Sequence, residues 1–228
     1  MTAGKETPAV QALTFDCFGT LIDWEAGIRR ALADEGALDA IAPRWTEFLE
    51  WREKKEAEWQ ALPYRHYREI FSISLREAFV NFGGNLDEPT ALRIADSLPR
   101  WPPFPDTVSA LRRLGSAYPL LILSNVDRAP LSGVVDRLGV PFAELVTAED
   151  VRSYKPAATH FHEARKRLGT RATGQLHVAA SAFHDLQPAQ ALGIPCVWVN
   201  RKGGRLPDAV TPSFVVKDLL ELCKKLGV

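Results

Sequence analysis

Apolar positions along the chain fall into three regimes. Leu13-Thr14-Phe15 is a short β-favouring run that ends in a carboxylate, Asp16, followed by Gly19-Thr20-Leu21. It predicts a buried strand with Asp16 at its carboxyl end and a tight turn at Gly19. From about Asp23 to Arg100 the period becomes helical and no strand-like run occurs. Tyr67, Ile70, Phe71, Ser74, Leu75, Ala78, Phe79 and Phe82 form a stripe at helical spacing that stops at Gly83-Gly84. Trp45, Phe48, Leu49 and Trp59 mark another helix after Pro43, and segments 24–38 and 89–98 complete a four-helix unit. The proline-rich stretch 99–105 predicts a stiff linker that closes it.

Beyond Asp106 the pattern alternates. Helices are expected at 108–117, 130–138, 157–168, 186–192 and 219–226, with strands at 120–123, 145–146, 176–179, 196–199 and 214–216. This is the βαβ alternation of a doubly wound parallel sheet. The first strand belongs to that sheet, so the helical unit is inserted after it. The expected architecture is α/β, with a core of residues 1–22 and 105–228 and a helical cap of residues 23–104. Residues 1–11 read as a frayed terminus.

The chain has 228 residues, enough for one large domain or a core with an insertion. Its 28 basic residues equal its 28 acidic ones, so neither a nucleic-acid footprint nor a polybasic membrane signal is present. The polar start carries no signal-peptide core, and no apolar run approaches the roughly 20 residues of a membrane span. Three cysteines, Cys17, Cys196 and Cys223, form no CxxC pair, which points to a reducing cytoplasm. Cys17, beside Asp16, reads as a small buried thiol.

Candidate chemistry gathers at one edge. Asp16, Ser124-Asn125, Lys155 and Ala180-Ser181 with Asp185 all follow predicted strands, at the side where open α/β sheets bind ligands. Taken alone, Asp16 reads first as a turn former, with a nucleophile and a metal ligand as its rivals. Four motifs in order narrow the choice. They are Asp16 with Gly19-Thr20-Leu21, Ser124 at a strand end, Lys155-Pro156 opening a helix, and the region from Ala180 to Asp185. With them the chain resembles the haloacid dehalogenase superfamily over nearly its whole length, which implies a Rossmann-like core with an inserted cap.

Most of that superfamily are magnesium-dependent phosphatases, and this sequence departs from them twice. Phe18 stands where they carry a general-acid aspartate, and Ala180 where they carry a metal-binding one. Magnesium demands oxygen ligands and tolerates few losses. The same losses mark the L-2-haloacid dehalogenase branch, which the chain resembles most. That resemblance implies hydrolysis of short 2-haloalkanoic acids to 2-hydroxy acids through an aspartyl ester, with no metal and no cofactor. The implied partner is a small 2-halo carboxylate, not a nucleic acid or membrane, and a homodimer is left open.

The resemblance also distributes roles. Asp16 is the nucleophile, and Lys155 orients it and balances its charge. Arg52, after Trp51, matches a halide-binding arginine; its place on the apolar stripe of its helix also suits a snorkelling side chain. Asn125 matches a second halide donor, while Asp127 reads as a helix N-cap. Thr20 and Ser124 match residues that bond the nucleophile or the substrate carboxylate, and Phe18 supplies an aromatic wall. Asp185 matches the residue that positions hydrolytic water or braces the lysine, with a helix cap as its rival. Phe161 replaces a tyrosine, keeping a wall without its hydroxyl, and Ala182 replaces an asparagine; both bear on ester hydrolysis. Ser181 and His184 are further candidates, although His184 is one of five histidines without metal-ligand spacing. Two other readings stand beside this one: a phosphatase of a small phosphorylated metabolite, and an idle member kept as a binding protein.

Overall fold

The computed structural model describes residues 9–228. The first eight positions of the expected frayed terminus lie outside the described residues, and Gln11 at its end donates its N–H to Gly174 O. Six strands form one parallel sheet: β1 (Ala12–Phe15), β2 (Leu120–Ser124), β3 (Glu144–Thr147), β4 (Gln175–Ala179), β5 (Cys196–Val199) and β6 (Phe214–Val216). Their order is β3-β2-β1-β4-β5-β6. β1 is buried at every position, as a central parallel strand covered on both faces must be. On β2, Leu120 and Ile122 join one apolar cluster while Leu121 and Leu123 join a second, so alternate residues feed cores on opposite faces. The chain runs outward from β1 to β2 and β3, then crosses back to β4. That reversal opens a crevice at the carboxyl ends of β2, β1 and β4.

Between β1 and β2 run α1 (Trp24–Asp34), α2 (Trp45–Gln60), α3 (Tyr67–Asn81) and α4 (Glu88–Ala95). Asp23 and Asp87 cap α1 and α4 by accepting Ala26 N–H and Thr90 N–H, satisfying donors that lack intrahelical partners. Phe48 of α2 meets Phe79 and Phe82 edge-on at 5.3 and 5.5 Å. The proline-rich stretch is no bare linker. Leu98–Arg100 is a 3₁₀ turn, Trp101 is buried with its indole donating to Ser97 Oγ at 2.8 Å, and Pro103 bridges Ile22. The large apolar ring decides this: burying Trp101 outweighs the loss of donors at the flanking prolines.

The remaining helices are α5 (Thr107–Ala117), α6 (Arg128–Leu138), α7 (Ala148–Val151), α8 (Thr159–Leu168), α9 (Gln187–Ala191) and α10 (Leu219–Leu226). Three differ from expectation. α7 was not foreseen and rests on a Thr147–Asp150 capping box. The Lys155-Pro156 peptide is cis and α8 starts only at Thr159. Ala182–Leu186 forms a π-helical turn ahead of α9. Asp127 sits at the N-cap position of α6 but makes no cap bond there. Its carboxylate instead accepts Tyr67 N–H and Arg68 N–H, each at 3.2 Å, so it caps α3 from across the chain. No helix among the described residues is long and apolar enough to cross a membrane.

Gly27 shows how tightly this region closes. A Cβ there would lie 2.3 Å from Trp101 Cγ. Gly→Ala inside a helix normally gains about 1 kcal/mol, whereas overpacking costs roughly 1–3 kcal/mol. Gly27→Ala should therefore destabilise the protein, read as a lower urea midpoint at unchanged slope.

Candidate active site

β1 delivers Asp16 to the crevice. Its N–H donates to Val178 O at 3.1 Å, so the backbone ladder continues one residue past the strand and holds the carboxylate rigidly. Each oxygen has one donor. Thr20 Oγ1 donates to Oδ2 at 2.7 Å, and Lys155 Nζ donates to Oδ1 at 2.9 Å. Ala180 N–H donates to Thr20 Oγ1 at 2.9 Å, which leaves the hydroxyl proton for Asp16. Arg201 holds the Thr20 carbonyl at 2.7 and 3.1 Å while paired with Asp106.

Lys155 is almost fully buried and its three protons are all used, on Asp16 Oδ1, Asp185 Oδ1 at 2.7 Å and Leu123 O at 2.9 Å. Burial by itself would discharge the ammonium. Asp16 and Asp185 outweigh that and push its pKa up to about 12. The three groups carry a net charge of −1, with the surplus shared by two carboxylates around one cation. For Asp185, burial opposes ionisation, yet the Lys155 charge and a hydrogen bond from His177 hold its carboxyl well below the usual range. Cys17 is shut in, its thiol pushed well up by burial and by Asp16.

A cavity of about 560 Å³ opens over this triad. Asp16, Phe18, Arg52, Ser124, Asn125, Lys155, Ser181, His184 and Asp185 all line it, so nine of the residues singled out in the sequence come together. Thr20 lies directly behind, on Asp16. Phe161 does not form a wall. It is fully buried on the far side of the sheet edge, its ring edge-on to His177 at 5.2 Å, because α8 directs it into the second apolar cluster.

Two side chains are engaged in unexpected ways. Arg52 is buried, lies over the Phe71 ring at 4.3 Å and is ion-paired with Glu56, which also accepts from Tyr67 OH at 3.2 Å. Burial opposes the Arg52 charge, but Glu56 more than restores it. Asn125 spends its amide on the Lys155 backbone, accepting Lys155 N–H at 2.7 Å and donating to Lys155 O at 3.0 Å. It thereby fixes the lysine's position. Ser181 accepts His184 N–H at 3.1 Å and caps the π turn that carries Asp185.

Sequence reasoning missed Glu56, Gln60, Tyr67, Phe71 and Trp101, which complete the helical side of the cavity. Glu56 and Gln60 follow Arg52 at four-residue steps on α2, which was the available signal. Folding also brings His66, Asp127 and Glu149 together, with ligand atoms within 4.8 Å of one another. Those carboxylates already accept Tyr67 N–H, Arg68 N–H and Arg128 N–H.

The donor set over Asp16 does not fit magnesium. Ala180 lines the cavity with a methyl group in the place of the metal-binding carboxylate, and Phe18 with a phenyl ring in the place of the general acid. The arrangement suits a desolvated anionic nucleophile with a fixed counter-charge.

A haloacid dehalogenase-like hydrolase family model matches residues 10–193, and the chain belongs to that family. An (S)-2-haloacid dehalogenase of Pseudomonas putida is 30% identical over 223 residues, covering 93% of this chain and 95% of the relative. Its counterpart in Pseudomonas fluorescens is 29% identical, with 93% and 95% covered. The solved L-2-haloacid dehalogenase of Xanthobacter autotrophicus with chloropropionic acid covalently bound superposes with a TM-score of 0.81. It is 21% identical, covers 96% of this chain and 98% of its own, and shares the fold.

His160, on α8, supports the Ser124 corner and generates a pH prediction. Its Nε2–H donates to Ser124 O at 3.1 Å, and burial, aided by the Lys155 charge, pushes its pKa down to about 3. The unfolded chain takes up this proton near pH 6.5 and the folded one does not, so stability falls as pH drops from about 6.5 towards 3. Between pH 7 and 5 the native protein should lose about 2 kcal/mol more than His160→Gln. Urea unfolding at the two pH values measures the difference.

Proposed function

We propose that the protein hydrolyses the carbon–halogen bond of short 2-halo carboxylic acids, forming 2-hydroxy acids without a metal. The observation that carries this reading is Asp16 fixed by Lys155 and Thr20 in a crevice where Ala180 and Phe18 stand in place of a metal-binding and a general-acid carboxylate. The activity in the names of the two Pseudomonas relatives supports it. We further propose that residues 23–104 act as a cap over a core of residues 1–22 and 105–228. Three free, buried cysteines are consistent with work in a reducing compartment.

In the first half-reaction an Asp16 oxygen attacks C2 from the side opposite the halogen. The C–O bond forms as the carbon–halogen bond breaks, and halide leaves with the electron pair. Phe18, Phe71 and Trp101 keep water from the carboxylate, which leaves it less solvated and more nucleophilic. Arg52 receives the anionic charge that leaves or arrives, in competition with Glu56. In the second half-reaction water attacks Cγ of the Asp16 ester. The bond from Cγ to the alkoxyl oxygen breaks, the hydroxy acid departs with one water proton, and the other proton passes to solvent. Asp16 is regenerated beside Lys155 and Asp185.

A single turnover in ¹⁸O water, with enzyme in excess and EDTA present, tests the route. Chloroacetate should release chloride at the rate seen without chelator. The first product should be unlabelled, with solvent oxygen in the Asp16 peptide. Label in the product at once, or loss of turnover in EDTA restored by magnesium, would refute the reading.

Arg52 needs a paired test, because removing it alone strands Glu56. The double variant Arg52→Gln/Glu56→Gln removes both charges and should fold normally. It should still lose roughly 10²-fold in turnover, about 3 kcal/mol for one donor to developing charge in a dry site. A native rate in steady-state halide release would assign Arg52 to packing.

A further inference from the structure

β1 and β4 carry three polar side chains on a sheet face that is otherwise apolar. Thr14 and His177 are direct neighbours across the two strands, and Gln175 lies two residues before His177. All three are buried, on the side where Ala12 and Ala179 meet Phe161. Buried polar groups persist where they are paired, and here the pairing runs in one direction. Gln175 Nε2 donates to Thr14 Oγ1 at 3.0 Å, Thr14 Oγ1 lies 3.0 Å from His177 Nδ1, and His177 Nε2 lies 3.0 Å from Asp185 Oδ1. With Gln175 donating, the Thr14 proton points to Nδ1. The imidazole is then the Nε2–H tautomer, and its proton points to Asp185. Phe161, edge-on to the ring, offers no competing acceptor.

We infer that His177 is a positioning residue for ester hydrolysis, acting through Asp185; this rests on the function proposed above. Asp185 Oδ1 takes both Lys155 and His177, while Oδ2 is buried without a protein partner in a residue that lines the cavity. Once Asp16 becomes an ester it loses its charge, and Asp185 is the remaining anion on Lys155. A carboxylate with one donor would rotate to offer both oxygens to the ammonium. The His177 N–H, fixed from behind by Thr14, opposes that rotation and keeps Oδ2 for the water that attacks Cγ. Displacement of halide by Asp16 does not use Oδ2, so His177 should matter to the second half-reaction alone.

The test is rapid-quench single turnover of 2-chloropropionate, following chloride and the intact mass of the protein. His177→Leu should release chloride within about twofold of the native rate, yet hydrolyse the ester at least roughly tenfold more slowly. Protein heavier by substrate minus halide should then accumulate. His177→Gln, whose amide can donate from a similar place, should recover most of that loss. Equal slowing of both half-reactions, or an unchanged ester lifetime, would overturn the inference. If His177→Leu fails to fold, Thr14→Val decides: it removes the group that fixes the tautomer, and an unaltered ester lifetime would overturn the inference equally. Absence of chloride release by the native protein would instead reject the function proposed above, and this role with it.

Discussion

The Lys155 ammonium, buried between Asp16 and Asp185, is the interaction on which the rest of the site depends. Taking one cation and two carboxylates out of water is costly, and only near-complete hydrogen bonding makes it tolerable. Lys155 meets that condition with three acceptors within 2.9 Å. Its backbone is locked by the Asn125 amide, and Asp185 is held from behind by His177. This explains why the strand ends must be set so closely. Asp16 continues the β1 ladder, Leu123 O comes from β2, and Asp185 rides on the π turn after β4.

The helical side of the cavity obeys a second electrostatic constraint. Its buried cation, Arg52, is neutralised by Glu56 on the next turn of α2. A buried guanidinium without a partner would be prohibitive in the empty site. With Glu56 in place, the charge of Arg52 is balanced within its own helix. The Asp127 carboxylate, capping α3 from the β2 side, ties these helices to the catalytic edge. These are charge-assisted hydrogen bonds, stronger than neutral ones.

Much of this was legible in local pattern. β5, β6 and α10 fall where periodicity puts them, because short β-branched runs and an amphipathic helix announce themselves without tertiary help. The crevice residues were legible because each follows a strand, and a parallel sheet brings strand ends to one edge whatever the side chains do. Phe161 was misjudged because a phenyl ring six residues after Lys155 has no local mark of the direction in which it points. Asp127 was misjudged because capping was read along the chain, whereas its partners lie 60 residues earlier.

The sequence by itself determined the α/β class, the insertion of helices after the first strand, and the set of carboxylates, lysine and hydroxyls at the sheet edge. These follow from residue type and period, which act over a few residues. Only the tertiary structure decided how those groups share their protons: Lys155 on three acceptors, Arg52 on Glu56, Asn125 on the lysine backbone, and His177 on Asp185 through a chain that starts at Gln175. Hydrogen bonds are directional and effective within about 3 Å. A sequence can supply the donors and acceptors, but only the packed sheet and helices set those distances.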